Sequence, residues 1–319
     1  MSFKDIRGQD KSIQMLEGYI EQSRLEGGYL FVGPEGVGKK LVAKTVAKTV
    51  NCLEGGFDSC DRCASCRKIE NNRHPDVHTI DSGDSEIKIE YIRRLQREIN
   101  FKPYEGKVKV FIIDNAHKLT AEASNALLKI LEEPPKNSLI ILITDKPVLL
   151  FKTIISRCKI LHFFPLRRIE LKELLRKDYG LDDSMAHFLA YFSEGRIGRA
   201  LGLKDTDILR DKNRIIDKFV FSKSLALESL AIQNKEDVRS FLNILATWFR
   251  DIYLIKIGAP HSEIINFDRK EELLRTMNRF SFSGLNEILN SISDSILYLE
   301  QNINIKLLLY NLGAQIWKG

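Results

Sequence analysis

The sequence predicts an α/β fold in its first half, a parallel sheet covered by helices on both faces, and helices alone in its second. Two observations carry this. Short apolar runs that read as strands alternate with helical periodicity up to about residue 165, and after Leu166 no strand-like run recurs. A third observation fixes the kind of sheet: a glycine-rich turn with a lysine follows the first strand and opens a helix.

The elements follow in order. Tyr29 to Val32 is a short apolar strand ending in glycine. The next helix carries Val42, Val46, Thr49 and Val50 on one face. Ile87 to Asn100 is a second helix, with Ile92, Leu95 and Ile99 at helical spacing. Val108 to Ile113 is nearly unbroken β-branched and aromatic, the pattern of a strand buried on both faces. Thr120 to Leu131 is a helix stopped by Pro134 and Pro135, and Leu139 to Thr144 is another buried strand. Residues 167 to 204 read as a small helical unit broken at Gly195 and Gly198. From about residue 207 the pattern is helical only, with apolar stripes at Phe241, Leu245, Trp248, Ile252 and Ile255 and again at Ile288, Ile292, Ile296 and Leu299.

Composition bounds the class. At 319 residues, 44% hydrophobic and 29% charged, the chain is long enough for two or three domains and is neither disordered nor collagen-like. No run approaches the roughly 18 apolar residues of a membrane span. The start, with Lys4, Asp5 and Arg7, lacks the apolar stretch of a secretion signal, so a cytoplasmic protein with no membrane partner is expected. The formal charge of +6 makes phosphate-rich partners plausible, but no run of like charge marks a nucleic-acid tail.

Three groups of residues carry chemistry. Gly33-Pro34-Glu35-Gly36-Val37-Gly38-Lys39-Lys40 has the spacing of a phosphate loop. Its glycines let backbone N–H groups converge on a phosphate at a helix N-terminus, and Lys39 reaches the terminal phosphates. The motif asks for Ser or Thr after the lysine, to ligate Mg²⁺, and Lys40 stands there instead. Asp114 follows the strand Val108 to Ile113, where a second metal-positioning carboxylate sits in such sites; taken alone it reads as an ordinary helix cap, and its position after the apolar strand favours the metal-site reading. The base expected next to it is replaced by Asn115, an amide. Gly33, Gly36, Gly38, Lys39, Lys40 and Asp114 are therefore a weakened site for ATP and Mg²⁺, expected to bind without hydrolysis or not at all.

Cys52, Cys60, Cys63 and Cys66 lie within fifteen residues, the last three as C-x2-C-x2-C. Four thiolates at that spacing suit a closed, structural tetrahedral Zn²⁺, with an iron–sulfur cluster as the chemical rival. Cys158 stands apart and reads as a small buried hydrophobe. Beside it, Arg157 reads first as a surface ion pair, and second as a group able to stabilise a γ-phosphate in a neighbouring subunit.

Together these motifs resemble the bacterial clamp-loader subunits of the DNA polymerase III holoenzyme, within the AAA+ class, over the whole chain. Phe3-Lys4-Asp5-Ile6-Arg7-Gly8-Gln9 is similar to the family's N-terminal box. The phosphate loop, the four cysteines, Asp114-Asn115-Ala116-His117 and Leu127-Leu128-Lys129-Ile130-Leu131-Glu132-Glu133-Pro134-Pro135 follow in family order, and Ser156-Arg157-Cys158 is similar to its arginine-finger motif. Lys40, Asn115 and Gly198 stand where the family's ATPase subunit carries Thr or Ser, Glu and a sensor arginine. Glu194-Gly195-Arg196-Ile197-Gly198-Arg199-Ala200-Leu201 and Trp248-Phe249-Arg250-Asp251 resemble the delta-prime type instead.

The resemblance implies an AAA+ domain over 1–166 with a zinc module at about 52–66, a lid over 167–206 and a helical collar over 207–319. It implies assembly with the ATPase (gamma/tau) and delta subunits to load the sliding clamp on primer-template DNA, with Arg157 serving a neighbour's ATP site and little or no hydrolysis by the chain itself. An active gamma/tau-type ATPase subunit is the alternative within the family, and an independent zinc-dependent DNA-binding protein the alternative outside it.

Overall fold

The computed structural model describes residues 1–22, 24–81, 83, 85–224, 232, 234–301 and 304–318. Two units are distinguished: Met1–Arg167 with Arg196–Arg199, and Arg168–Gly195 with Ala200–Gly319.

The first unit runs α1 (Asp10–Glu21), β1 (Gly27–Val32), α2 (Lys39–Val50), α3 (Ala64–Glu70), β2 (Val77–Ile80), α4 (Ile89–Ile99), β3 (Lys109–Ile113), α5 (Ala121–Glu132), β4 (Ser138–Thr144), α6 (Lys152–Ile155) and β5 (Lys159–His162). The strands form one parallel sheet in the order β2-β3-β4-β1-β5. β3 and β4 are buried along their whole length, and alternation sends their side chains to two cores. Val110, Ile112, Leu139, Ile141 and Ile143 pack with Leu16 of α1 and with Val42 and Val46 of α2. Phe111, Ile113, Ile140 and Leu142 pack on the other face with Ile92 and Leu95 of α4, Leu127 of α5 and Ile154 of α6.

The three expected strands and the helices expected at 87–100 and 120–131 are all present, each within two residues of its expected start and end. The four-residue edge strands β2 and β5 are additions: β2 is only partly buried and β5 mostly exposed, and each contains a histidine. The short helix α3 lies inside the cysteine segment, with Cys63 as its N-cap.

Because every strand is parallel, the turns after β1, β2, β3 and β4 open at the same C-terminal edge of the sheet. That is where ligands bind in open α/β sheets. Gly33, Asp81, Asp114 and Asp145 all sit there, each the first residue after its strand.

The second unit is helical: α7 (Arg168–Tyr179), α8 (Asp183–Phe192), α9 (Ile197–Leu203), whose first turn belongs to the first unit, α10 (Ile208–Ile215), α11 (Lys235–Lys256), α12 (Lys270–Thr276), α13 (Phe282–Tyr298) and α14 (Ile305–Lys318). α11 starts at a capping box. The Asn234 side chain accepts from the Asp237 backbone N–H at 3.0 Å, and the Asp237 carboxylate accepts from the Asn234 N–H at 3.1 Å. The expected stripe of α11 is its buried face, with Phe241, Leu245, Trp248 and Ile252 fully enclosed and Ile255 partly so. Asp251 in the same helix is also buried. Its carboxylate accepts from the backbone N–H groups of Ile265 and Asn266 and from the Asn266 amide at 2.7–3.1 Å, which fastens the 264–266 loop to the helix. Among the described residues, no helix is long and apolar enough to cross a membrane.

Candidate functional site

The phosphate loop links β1 to α2, as its spacing predicts. Gly38 has φ of 100°, a left-handed conformation that favours glycine, and gives α2 its first turn. Gly33 is required by close approach instead: a Cβ there would lie 2.2 Å from the Phe163 carbonyl oxygen. The loop is engaged with its own chain. The Lys39 Nζ donates to the carbonyls of Gly33 at 2.5 Å and Pro34 at 2.7 Å. Burial pushes its ammonium below the ordinary lysine value, opposed by Asp145, Asp114 and Glu35. Within the same unit, the Gly198 N–H donates to the Gly36 carbonyl at 2.7 Å. A Cβ at Gly198 would stand 3.0 Å from that same oxygen, so a side chain here presses on the loop.

The residues around the loop do not fit a metal ion. Lys40 points from the first turn of α2 into the position a cation would take. Its Nζ lies 2.5 Å from Asp81 Oδ2 and 3.1 Å from Asp114 Oδ2. Asp81 had no place in the sequence-based site, because the polar strand β2 that positions it was not recognised. Asp114 is neither a helix cap nor exposed: its Oδ1 accepts from the Asn115 N–H at 3.0 Å, and its Oδ2 faces Lys40.

The four cysteines meet. The sulfur atoms of Cys52, Cys60, Cys63 and Cys66 all lie within 4.8 Å of one another, with Cys52 and Cys66 buried. Tetrahedral sulfurs on a Zn–S bond of about 2.3 Å sit about 3.8 Å apart, so the cluster fits one ion after a small contraction. Burial disfavours the Cys63 thiolate, but backbone N–H groups of Cys66 and Leu53 hold its thiol down to about 6. Burial pushes the Cys66 thiol up.

The module is fastened to α2 by Lys48, whose side chain is almost fully enclosed. Its ammonium donates to Asp61 at 2.5 Å, to Glu70 at 3.0 Å and to the Met1 carbonyl at 2.6 Å. Asn51 ties the same end of α2 to β3: its Oδ1 accepts from the N–H groups of Lys107 and Val108 at 2.7 and 3.0 Å. Sequence reasoning missed Lys48. Lys48 lies on the side of α2 away from Val42, Val46, Thr49 and Val50, so the sequence reads it as an ordinary solvated lysine and offers no signal for this role.

Arg157 lies in the turn between α6 and β5. Its Nη2 pairs with Glu132 Oε1 at 2.7 Å, and its Nη1 donates to the Thr153 carbonyl at 2.9 Å. In the isolated chain it is therefore a surface ion pair, the plainer of its two readings, and its side chain keeps 34% of its surface accessible. Glu132 belongs to the Leu-Glu-Glu-Pro-Pro run at the end of α5, which gives that motif a contact not visible in the sequence. Burial pushes the neighbouring Cys158 thiol up to about 12, in keeping with a packing role.

Known proteins match both halves of the chain. The family described as "DNA polymerase III, delta subunit" matches residues 8–167, and that described as "DNA polymerase III, delta subunit, C terminal" matches residues 210–316. The chain is 31% identical to the DNA polymerase III subunit delta' of Bacillus subtilis, over 98% of this chain and 97% of that one. It is 30% identical to subunit tau of the same organism, over 86% of this chain but only 54% of tau. Among solved structures, a gamma subunit-related protein of Thermotoga maritima aligns with 96% of this chain and 99% of its own, at 19% identity and a TM-score of 0.47. By family match and by identity along its whole length, the chain belongs to the delta-prime subunits of DNA polymerase III.

Proposed function

We propose that this chain is a non-hydrolysing assembly subunit of a clamp loader, working in the cytoplasm. It assembles with gamma/tau-type ATPase subunits and a delta subunit, and the complex places a sliding clamp on primer-template DNA. Domains at 1–166, 167–206 and 207–319 serve as the nucleotide-type domain, the lid and the collar. The supporting observation is the contrast between two sites. The chain's own loop has Lys39 turned onto loop carbonyls and Lys40 where a metal would sit. Arg157, by contrast, is held among the described residues by an exposed carboxylate and one carbonyl. In the assembly Arg157 leaves Glu132 for the γ-phosphate at a neighbour's ATP site, where a planar guanidinium stabilises the charge of the transition state. The cysteine cluster holds Zn²⁺, which supplies folding energy to the 52–70 segment and takes no part in turnover.

The purified chain, loaded with its metal, tests the first half of this reading. It turns over no ATP above a Lys39→Ala control, and any nucleotide it holds is held passively. Mg²⁺-dependent turnover that Lys39→Ala abolishes would make it a motor subunit instead.

A further inference from the structure

The end of the sheet beside the phosphate loop carries a cation arrangement that the loop motif does not foretell. Ile80 of β2 and Ile113 of β3 are register partners, and the Asp114 N–H donates to the Ile80 carbonyl at 2.9 Å. The next residue on each strand is an aspartate, so Asp81 and Asp114 emerge side by side. Each is held in the same manner. Asp81 Oδ1 accepts from the Gly83 N–H at 3.0 Å, and Asp114 Oδ1 accepts from the Asn115 N–H at 3.0 Å. Each thereby turns its Oδ2 toward Lys40, at 2.5 and 3.1 Å. Lys40 and Asp81 also line an open cleft of about 950 Å³ along β2, so an ion in solution has free access to the pair.

In a phosphate loop that uses Mg²⁺, a Ser or Thr hydroxyl at the position of Lys40 and a strand-end Asp hold the ion between them. Here one side chain replaces the hydroxyl and brings a positive charge of its own. The lysine stem spans the gap from α2 to the strand ends, and the ammonium meets two carboxylate oxygens. A divalent ion at the same place would face that fixed cation at contact distance and would find both facing oxygens engaged.

We propose that Lys40 is a tethered counter-cation: its Nζ takes the place of the divalent ion, neutralises Asp81 and Asp114, and keeps Mg²⁺ out. The lost hydroxyl is thus one half of a substitution, and the other half is a cation built into the chain. The carboxylates are retained because the ammonium needs them. This inference rests on reading residues 33–40 as a phosphate loop, and it is independent of the role given to Arg157.

The test is Mn²⁺ binding to the full, zinc-loaded chain, read by electron paramagnetic resonance without nucleotide. The wild type is compared with Lys40→Thr, Lys40→Ala, Asp114→Asn and the double variant Lys40→Thr/Asp114→Asn. The wild type takes Mn²⁺ at this place at least ~10-fold more weakly than Lys40→Thr, because the fixed ammonium repels the ion. Lys40→Thr gains a bound Mn²⁺ that the added Asp114→Asn removes, and Lys40→Ala gains a weaker one. Mn²⁺ also raises the melting temperature of both single variants and leaves that of the wild type unchanged. Two results overturn the proposal. One is a wild type that already binds Mn²⁺ in a manner Asp114→Asn abolishes. The other is Lys40→Thr and Lys40→Ala chains that bind none, or that unfold and are not restored by the ion. Spectra of the bound ion and turnover of ATP are separate readouts, so failure here is distinguishable from failure of the non-hydrolysing reading.

Discussion

Arg157 and the four cysteines show how differently single residues depend on their surroundings. The cysteines announce themselves, because thiolates at C-x2-C-x2-C spacing have few uses other than a metal. The structure brings all four sulfurs within 4.8 Å. Arginines are common at surfaces, and nothing in Ser156-Arg157-Cys158 taken alone distinguishes an ion pair from a group held for a partner. Its pair with Glu132 is of a kind worth about 0–1 kcal/mol, so it holds the guanidinium without committing it. At this scale the metal is the sharper prediction. Elemental analysis finds one zinc per chain, and Cys66→Ser loses it together with about 4 kcal/mol of stability, the size of effect that loss of a structural metal produces. Iron in place of zinc, or a Cys66→Ser chain with full metal content, would contradict the assignment.

The elements explain why the site residues stand where they do. The central strands were legible because β3 and β4 are buried on both faces and so are almost purely apolar. β2 was not, since an edge strand with a histidine and a threonine among four residues has no clear period. Asp81 was lost with it. β2 is fixed at its start by Asp76, which is buried and accepts from the backbone N–H groups of Tyr104, Glu105 and Gly106 at 2.7–2.9 Å. Burial works against this charge, yet the three donors hold the carboxyl below the usual carboxylate range. A carboxyl whose folded value lies below its unfolded one stabilises the fold fully above the unfolded value, near pH 4. That contribution is lost as pH falls through the folded value. Asp76→Asn therefore costs about 2 kcal/mol at neutral pH. In urea melts the gap between the variant and the wild type closes as pH falls below about 4. A gap of constant size from neutral to acid pH would show that the charge at Asp76 contributes nothing.

For the whole molecule, the sequence revealed the order of motifs better than their condition. The phosphate loop, the cysteines, Asp114 and Arg157 all lie at the predicted places in an α/β unit followed by helices. What spacing does not encode is contact between distant segments. Lys39 turned onto the carbonyls of Gly33 and Pro34, the Gly198 N–H on the Gly36 carbonyl, and Lys40 between two strand ends each depend on the folded geometry. These contacts give the chain a self-engaged loop, and the proposed role at a neighbour's site falls to Arg157. The account therefore turns on what Arg157 does in an assembled loader. The most direct measurement is DNA-stimulated ATP turnover by a complex reconstituted with gamma/tau, delta and either wild-type chain, Arg157→Ala or Arg157→Lys. The account predicts intact assembly and a loss on the order of 10³ at the one site that Arg157 serves, with Arg157→Lys restoring little, because a point ammonium does not reproduce the planar fork. Unchanged turnover by a fully assembled Arg157→Ala complex would contradict it.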